Sequence, residues 1–249
     1  MANGCPPTYA RCGDSAPFFG GSLISLRTVG TVCATGVSLA AGTYNYMSTD
    51  WHCSPYGTGT WVARDSGNVI GTVNVAAGHV QAARDFMIIG TPSNTGKIWF
   101  GDWKTQTSIR VGSVVRPGLG DPVTCSCGVS GSGHYQYIGI VDVEWNIRGR
   151  VIGKGFYAEQ YDDRDDPDYP ATGWVQPGDS GSPLVSGGSS YDVLQGFLSA
   201  GGVGSGPICA PGRHPGFDGD PDDGCYTEYY AMYPDVAIGS IGGLKVKTS

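Results

Sequence analysis

The densest chemical signal in the chain lies in Pro177-Gly178-Asp179-Ser180-Gly181-Ser182-Pro183. Gly178 and Gly181 permit backbone angles that a side chain would block, while Pro177 and Pro183 stiffen the flanks. The expected result is a tight turn that exposes the Ser180 hydroxyl. Successive backbone N–H groups in such a turn can converge on one point, as a developing oxyanion requires. Ser180 is therefore the candidate nucleophile, and the N–H groups of Gly178 and Ser180 are the candidate oxyanion hole. A Gly-x-Ser-x-Gly elbow between strand and helix fits less well. Its last position would be Ser182, and no helix-period pattern follows.

A serine nucleophile needs a base, and the base needs a group to orient it. The bases on offer are His52, His79, His134 and His214. His134 and His214 lie among glycines or acidic residues and read as exposed. Arg84-Asp85-Phe86-Met87-Ile88-Ile89 sets one carboxylate against four apolar residues. A charge there needs a partner on burial.

Short strands and many turns are expected to hold these groups. The 249 residues include 42 Gly and 16 Pro, far above average usage, and no long helical period is present. Residues 22–27, 32–39, 44–48, 60–63, 68–75, 86–89, 97–103 and 108–115 read as a first set of strands, with Asp65-Ser66-Gly67-Asn68 as a hairpin turn. Arg116 to Pro122 is a cluster of turn residues. Residues 123 onward, 135–143, 150–157, 183–185, 193–200 and 227–232 form a second set. Tyr233 to Ile241 reads as a short terminal helix. Two strand sets fit a pair of packed barrels in an all-β chain. The expected division is a disulfide-bearing extension (1–16), a first barrel (17–115), a linker (116–122) and a second barrel with the C-terminal segment (123–249).

Composition narrows the function. Net charge is −7 with dispersed Lys and Arg, a poor fit to nucleic-acid binding. No apolar run approaches the ~18 residues of a membrane span. The eight cysteines show no zinc-like grouping with histidine, so disulfides and an oxidising compartment are expected. The N-terminal residues lack the basic and apolar regions of a signal peptide. The sequence therefore reads as a mature or recombinant fragment, and any export signal or propeptide would lie upstream.

The order Gly-Asp-Ser-Gly followed by Ser182-Pro183 resembles the nucleophile loop of chymotrypsin-like serine peptidases, with Ser182 in place of a second glycine. Thr49-Asp50-Trp51-His52-Cys53 resembles that family's histidine motif, although Asp50 and Trp51 stand where two small residues are usual. Pro17-Phe18-Phe19-Gly20-Gly21, Gly128 and Leu198-Ser199-Ala200-Gly201-Gly202 add to the likeness. The chain is most similar to secreted bacterial members of the streptogrisin and α-lytic type. The resemblance implies two six-stranded antiparallel barrels with the site in the cleft between them. It implies His52 as general base and acid, Asp85 as its orienting carboxylate and Ser180 as nucleophile, in a chain order shared by neither subtilisin nor the α/β-hydrolases. His79 mimics the histidine motif without its cysteine and reads as a loop or strand residue.

The resemblance further implies a Cys33–Cys53 bridge and a strand at Ser199, Ala200 and Gly201 that pairs with the substrate backbone. Trp174, Val175 and Gln176 would shape the primary pocket. No acidic residue sits close before Gly178, which disfavours cleavage after Lys or Arg, so an apolar or aromatic P1 residue is expected. The family's cysteine shortly before the nucleophile is absent, and a Cys209–Cys225 bridge is expected to brace the pocket instead. An arginine that pairs with the Asp179 position is replaced by Val129, leaving its counter-charge open. Among Cys5, Cys12, Cys125 and Cys127, a ring between Cys125 and Cys127 would be very small. The reading leans toward the N-terminal loop being stapled to the Cys125 region; the rival is Cys5–Cys12 with Cys125 and Cys127 bonded to each other or free.

The expected function is a secreted, monomeric serine endopeptidase acting on protein or peptide substrates without a required cofactor. The alternative is a binding protein on an inactive peptidase fold. Asp218, Asp220 and Asp222, with a second cluster at 162–168, suggest a structural Ca²⁺ that takes no part in the chemistry.

Overall fold

The computed structural model describes residues 9–54, 58–132, 136–160, 175–187, 192–202 and 225–248. The strands run in chain order: β1 (Phe18–Gly20), β2 (Leu23–Leu26), β3 (Val32–Ala34), β4 (Ser38–Ala41), β5 (Tyr44–Thr49), β6 (Thr60–Ala63), β7 (Val69–Thr72), β8 (Val80–Gln81), β9 (Phe86–Thr91), β10 (Asn94–Trp99), β11 (Ser108–Val114), β12 (Pro122–Cys127), β13 (Gly131–Ser132), β14 (Gln136–Ile147), β15 (Arg150–Gln160), β16 (Pro183–Gly187), β17 (Asp192–Gly201), β18 (Glu228–Met232) and β19 (Lys245–Val246). One short helix, α1 (Pro234–Gly239), occupies the expected C-terminal stretch. Pro234 starts it, where a missing backbone N–H costs nothing.

The strands form two curled sheets. One runs β19-β4-β5-β9-β7-β6-β2-β3, with β8 on β9. The other runs β1-β10-β11-β17-β16-β12-β14-β15-β18, with β13 on β12. Pairing is antiparallel except between β1 and β10 and between β11 and β17. The sequence pattern sets each face. In β10 buried and half-buried residues alternate, as a sheet with one covered face requires. The long β14–β15 hairpin closes through Arg148 and Gly149, both at positive φ (52° and 78°), the turn geometry that matches strand twist.

A core between the sheets joins the two halves of the sequence. Leu39, Phe86 and Ile88 from the first sheet pack with Val185, Leu194, Phe197 and Met232 from the second and Ala237 of α1. The Phe86 and Phe197 rings lie 5.3 Å apart. The C-terminus crosses back to the first sheet, where β19 pairs with β4. Beyond it Lys247 Nζ donates to the Asn94 carbonyl (2.8 Å) and to Asn94 Oδ1 (3.0 Å). Asn94 lies in β10 of the second sheet and donates in turn to the Tyr46 carbonyl of β5 (2.6 Å).

Two bridges lie wholly within the described residues, Cys33–Cys53 as expected and Cys125–Cys127. The second overturns the crossed pairing of the N-terminal loop with the Cys125 region. The physical reason is a local change of partner along β12. Thr124 and Cys125 pair with β16, whereas Ser126 and Cys127 pair with β13. The chain bends between them, and the two Cα atoms approach to 5.2 Å, inside the range a disulfide spans. Cys12 and Cys225 are also disulfide-bonded; their partners, and hence the expected Cys209–Cys225 bridge, lie outside the described residues.

Candidate active site

The turn before β16 is fixed from several sides. Gly178 and Gly181 have φ of 94° and 90°, a region that side chains rarely adopt. A Cβ on Gly181 would also lie 2.5 Å from the Ala34 carbonyl oxygen. The Ala34 N–H donates to the Ser180 carbonyl (2.8 Å), and Gly181 N–H donates to the Leu198 carbonyl (2.8 Å). Asp179 and Ser182 N–H groups are engaged inside the turn, by the Gln176 and Asp179 carbonyls. The amides of Gly178 and Ser180 have no acceptor among the described residues, which leaves them for a ligand. Ser182 is fully buried, and its hydroxyl accepts from Gly128 N–H (3.2 Å). The residue that departs from the expected glycine thus ties the turn to the end of β12.

His52 sits in a short 3₁₀ turn (Trp51–Cys53) at the end of β5. Its Nε2 lies 2.9 Å from Ser180 Oγ and its Nδ1 lies 2.8 Å from Asp85 Oδ2. Asp85 ends another 3₁₀ turn (Ala82–Arg84) with φ 43°, a conformation uncommon outside glycine. That backbone turns its carboxylate toward His52, whose own N–H donates to Asp85 Oδ1 (2.9 Å). The Ser199 hydroxyl of β17 donates to Asp85 Oδ2 (2.5 Å), and Trp145 Nε1 of β14 donates to Ser199 Oγ (3.1 Å). Three donors therefore converge on one buried carboxylate. With Asp85 as acceptor, Nδ1 carries the proton and the Nε2 lone pair faces the Ser180 hydroxyl. The sequence named Ser199 only as part of a substrate-binding strand; its tie to Asp85, and Trp145 behind it, depend on contacts between distant strands.

The missing arginine has a different substitute. The Asp179 carboxylate accepts from Val129 N–H (2.7 Å), Ser130 N–H (3.1 Å), Gln176 N–H (2.8 Å) and the Ser130 hydroxyl (2.5 Å). Burial pushes this carboxyl up, and those four donors push it down. A cation does come near, from the N-terminal segment. Arg11 is fully buried, donating to the carbonyls of Gly21 (2.8 Å), Trp99 (3.1 Å) and Gly101 (3.2 Å) and to the hydroxyls of Ser126 (3.3 Å) and Ser132 (3.2 Å). Burial pulls its pKa down to about 9, against the pull of Asp179 and then Asp102. Replacing Arg11 by Met would leave the Gly21 carbonyl without this donor, while the Trp99 carbonyl keeps the Ser126 hydroxyl and the Gly101 carbonyl keeps the Ser132 N–H. A buried acceptor left without a donor costs about 1–3 kcal/mol. A loss of roughly 2 kcal/mol is expected, which lowers the melting temperature by about 4–8 °C. Calorimetry of the variant checks this; an unchanged transition would mean that Arg11 is not a structural keystone.

Beside Ser180 lies a cavity of about 230 Å³. Of the expected pocket residues, Val175, Gln176, Ser199, Ala200 and Gly201 line it, and Trp174 lies outside the described residues. Ile147 and Tyr226 also line it and were not foreseen. Tyr226 is held there by a two-way backbone bridge with Val175 (3.2 and 2.7 Å), next to the disulfide-bonded Cys225. Ile147 comes from the tip of the β14–β15 hairpin. Its reach into the site follows from that hairpin's length, which no local pattern encodes.

His79 stays away from this cluster, packed edge-on against Tyr46 with ring centroids 5.1 Å apart. His134, His214, the Asp218, Asp220 and Asp222 group and the 162–168 cluster lie outside the described residues. Among the described residues, Asp50, His52 and Asp85 are close enough together to suggest a cation. His52 already bonds to Ser180 and Asp85 through its two ring nitrogens, so the three are better understood as an acid–base network.

No family model and no curated protein matches the chain. Solved structures do. A glutamic acid-specific serine protease, described as using a histidine triad in substrate binding, matches with a TM-score of 0.63 and 16% identity over 92% of this chain and 99% of its own. Thermobifida fusca protease A matches at 0.60 and 16%, over 93% and 98%. An α-lytic protease homolog, N4, matches at 0.58 and 18%, over 90% and 96%. The chain therefore has the fold of the bacterial chymotrypsin-like serine proteases.

Proposed function

We propose that this chain is a serine endopeptidase that cleaves peptide bonds through an acyl-enzyme on Ser180. The observation that carries the reading is the continuous line Ser180 Oγ, His52 Nε2, His52 Nδ1, Asp85 Oδ2, with separations of 2.9 and 2.8 Å on either side of the ring. Ser180 Oγ attacks the scissile carbonyl carbon while its proton passes to Nε2. The oxyanion that forms is met by the N–H groups of Gly178 and Ser180. The tetrahedral species collapses as His52 returns the proton to the leaving amine. Water then repeats the sequence on the ester, and Ser180 is regenerated. Asp85 holds the ring in the required tautomer and stabilises the imidazolium.

The substrate backbone pairs along Ser199, Ala200 and Gly201, and its P1 side chain enters the adjacent cavity. Val175, Ile147, Leu198 and the Tyr226 ring give that cavity apolar walls, which favours an apolar or aromatic P1 residue. Disulfides and the fold's bacterial relatives support secretion. The partners are proteins or peptides, and the enzyme acts as a monomer. The acidic residues Asp218, Asp220 and Asp222 would bind Ca²⁺ as a structural ion.

A peptidyl phosphonate with an aromatic P1 group tests the reading. The expected outcome is a single adduct, mapped by mass spectrometry to Ser180, and cleavage of a peptide library after apolar or aromatic residues. An intact, folded chain that takes no label would favour the binding-protein alternative.

A further inference from the structure

Asp50 is the residue the mechanism above leaves unused. It is 1% exposed, and neither carboxylate oxygen accepts a hydrogen bond from any described residue. It precedes the 3₁₀ turn that carries His52 in the N-cap position, with φ −83° and ψ 147°, where an aspartate ordinarily caps the following amides. Here its side chain makes no capping bond. Instead Oδ2 lies 3.9 Å from His52 Nδ1, the same nitrogen that Asp85 holds at 2.8 Å. A buried acid that forgoes a cap and has no hydrogen-bond donor is costly to the fold. Such costs concentrate at functional sites.

We propose that Asp50 is a second carboxylate of the catalytic imidazole, a positioning residue that acts through His52 by adding negative charge beside Nδ1 when the ring becomes cationic. This rests on the endopeptidase reading above. Charge acts over 3.9 Å without a hydrogen bond, because few polarisable groups lie between two buried atoms. Among the described residues the ionisable groups around the pair are few. Asp85 faces it from the neighbouring 3₁₀ turn with Arg84 beside it, and Arg150 of β15 lies over the Trp51 ring at 5.1 Å. Burial, and then the charge of Asp85, raise the Asp50 carboxyl well above the ordinary carboxylate range. The Gly181 amide eases that rise without forming a full bond, since its N–H is donated to Leu198. Asp50 therefore holds its proton more tightly than an ordinary aspartate and contributes its charge as pH rises.

The sign of the stability effect follows. An acid raised in the folded state binds its proton more tightly there than in the unfolded chain. Folding is favoured below the unfolded value of about 4, and that contribution is lost as pH rises through the folded value. Asp50→Asn removes the loss. The variant should therefore melt at the same temperature as the parent near pH 4 and at a higher one near pH 9. A variant less stable at the higher pH would mean that donors hold the ionised carboxylate, and would overturn the reading of Asp50 as an unpaired charge.

The activity test uses Asp50→Asn, with Asp50→Ala as a second variant. Relative to the parent, kcat on a peptide amide should fall roughly tenfold near pH 9 with KM unchanged, and the ratio should approach one near pH 5. A ratio that does not change with pH would overturn the proposal. An independent measurement needs no turnover. In the Ser180→Ala protein, the His52 ring-proton resonance should titrate roughly one pH unit lower once Asp50→Asn is added. An unmoved midpoint would overturn the role of Asp50 by itself. A moved midpoint in a chain that takes no phosphonate label would sustain that role while removing the peptidase reading.

Discussion

Ser180→Ala is expected to lower kcat on a peptide amide by roughly 10⁶-fold, as loss of a nucleophile does where triad members act as a unit. What remains should be the roughly 10³–10⁴-fold over water that binding and the oxyanion hole provide. The fold should survive, because the Ser180 hydroxyl contacts only His52 among the described residues, while the backbone carbonyl bonded to Ala34 is untouched. The measurement is kcat on purified protein alongside its melting temperature. Peptidase activity persisting in a fully folded Ser180→Ala sample would end the acyl-enzyme mechanism.

Asp85→Asn should cost about 10⁴-fold in turnover. Three donors meet this side chain: His52 N–H, His52 Nδ1–H and the Ser199 hydroxyl. Asparagine offers one acceptor oxygen and an NH₂ group that must face donors. The ring responds by moving its proton to Nε2, where it can no longer accept from Ser180. Asparagine tolerates φ of 43° better than most residues, so the backbone at this position should hold. Ser199→Ala offers a graded comparison, since it removes one of the three donors and leaves the tautomer in place. A loss below tenfold in Asp85→Asn would show that another group orients His52.

The nucleophile turn was legible because its chemistry is local. Gly178, Ser180, Gly181 and the flanking prolines lie in one short stretch, and their backbone demands follow from residue type. His52 and Asp85 were legible through their settings, a Cys33–Cys53 pair and an apolar strand behind a lone carboxylate. The strand pattern also came through, although Val75, read as the end of a strand, begins a 3₁₀ turn (Val75–Ala77) capped by Asn74. What stayed hidden depends on contacts distant in sequence. Arg11 meets Ser126 across 115 positions, and nothing near it distinguishes it from any surface arginine. Asp50 read only as an awkward substitution, because its meaning rests on where β5 ends relative to His52. The Cys125–Cys127 ring was ranked second on its size, while the change of partner along β12 that draws the two together appears only once the sheets are assembled.

Arg11 and Lys247, from segments far apart in sequence, both clasp β10. Arg11, from the N-terminal segment, is anchored to Trp99, Ser126 and Ser132, whereas Lys247, near the C-terminus, joins β10 to the first sheet. The core that contains Phe86 and Phe197 is shared between the sheets. Cleavage at either end loosens the junction on which His52 and Ser180 meet from opposite halves. In the peptidase proposed above, self-digestion that reaches either segment is expected to lower activity without touching the cleft itself.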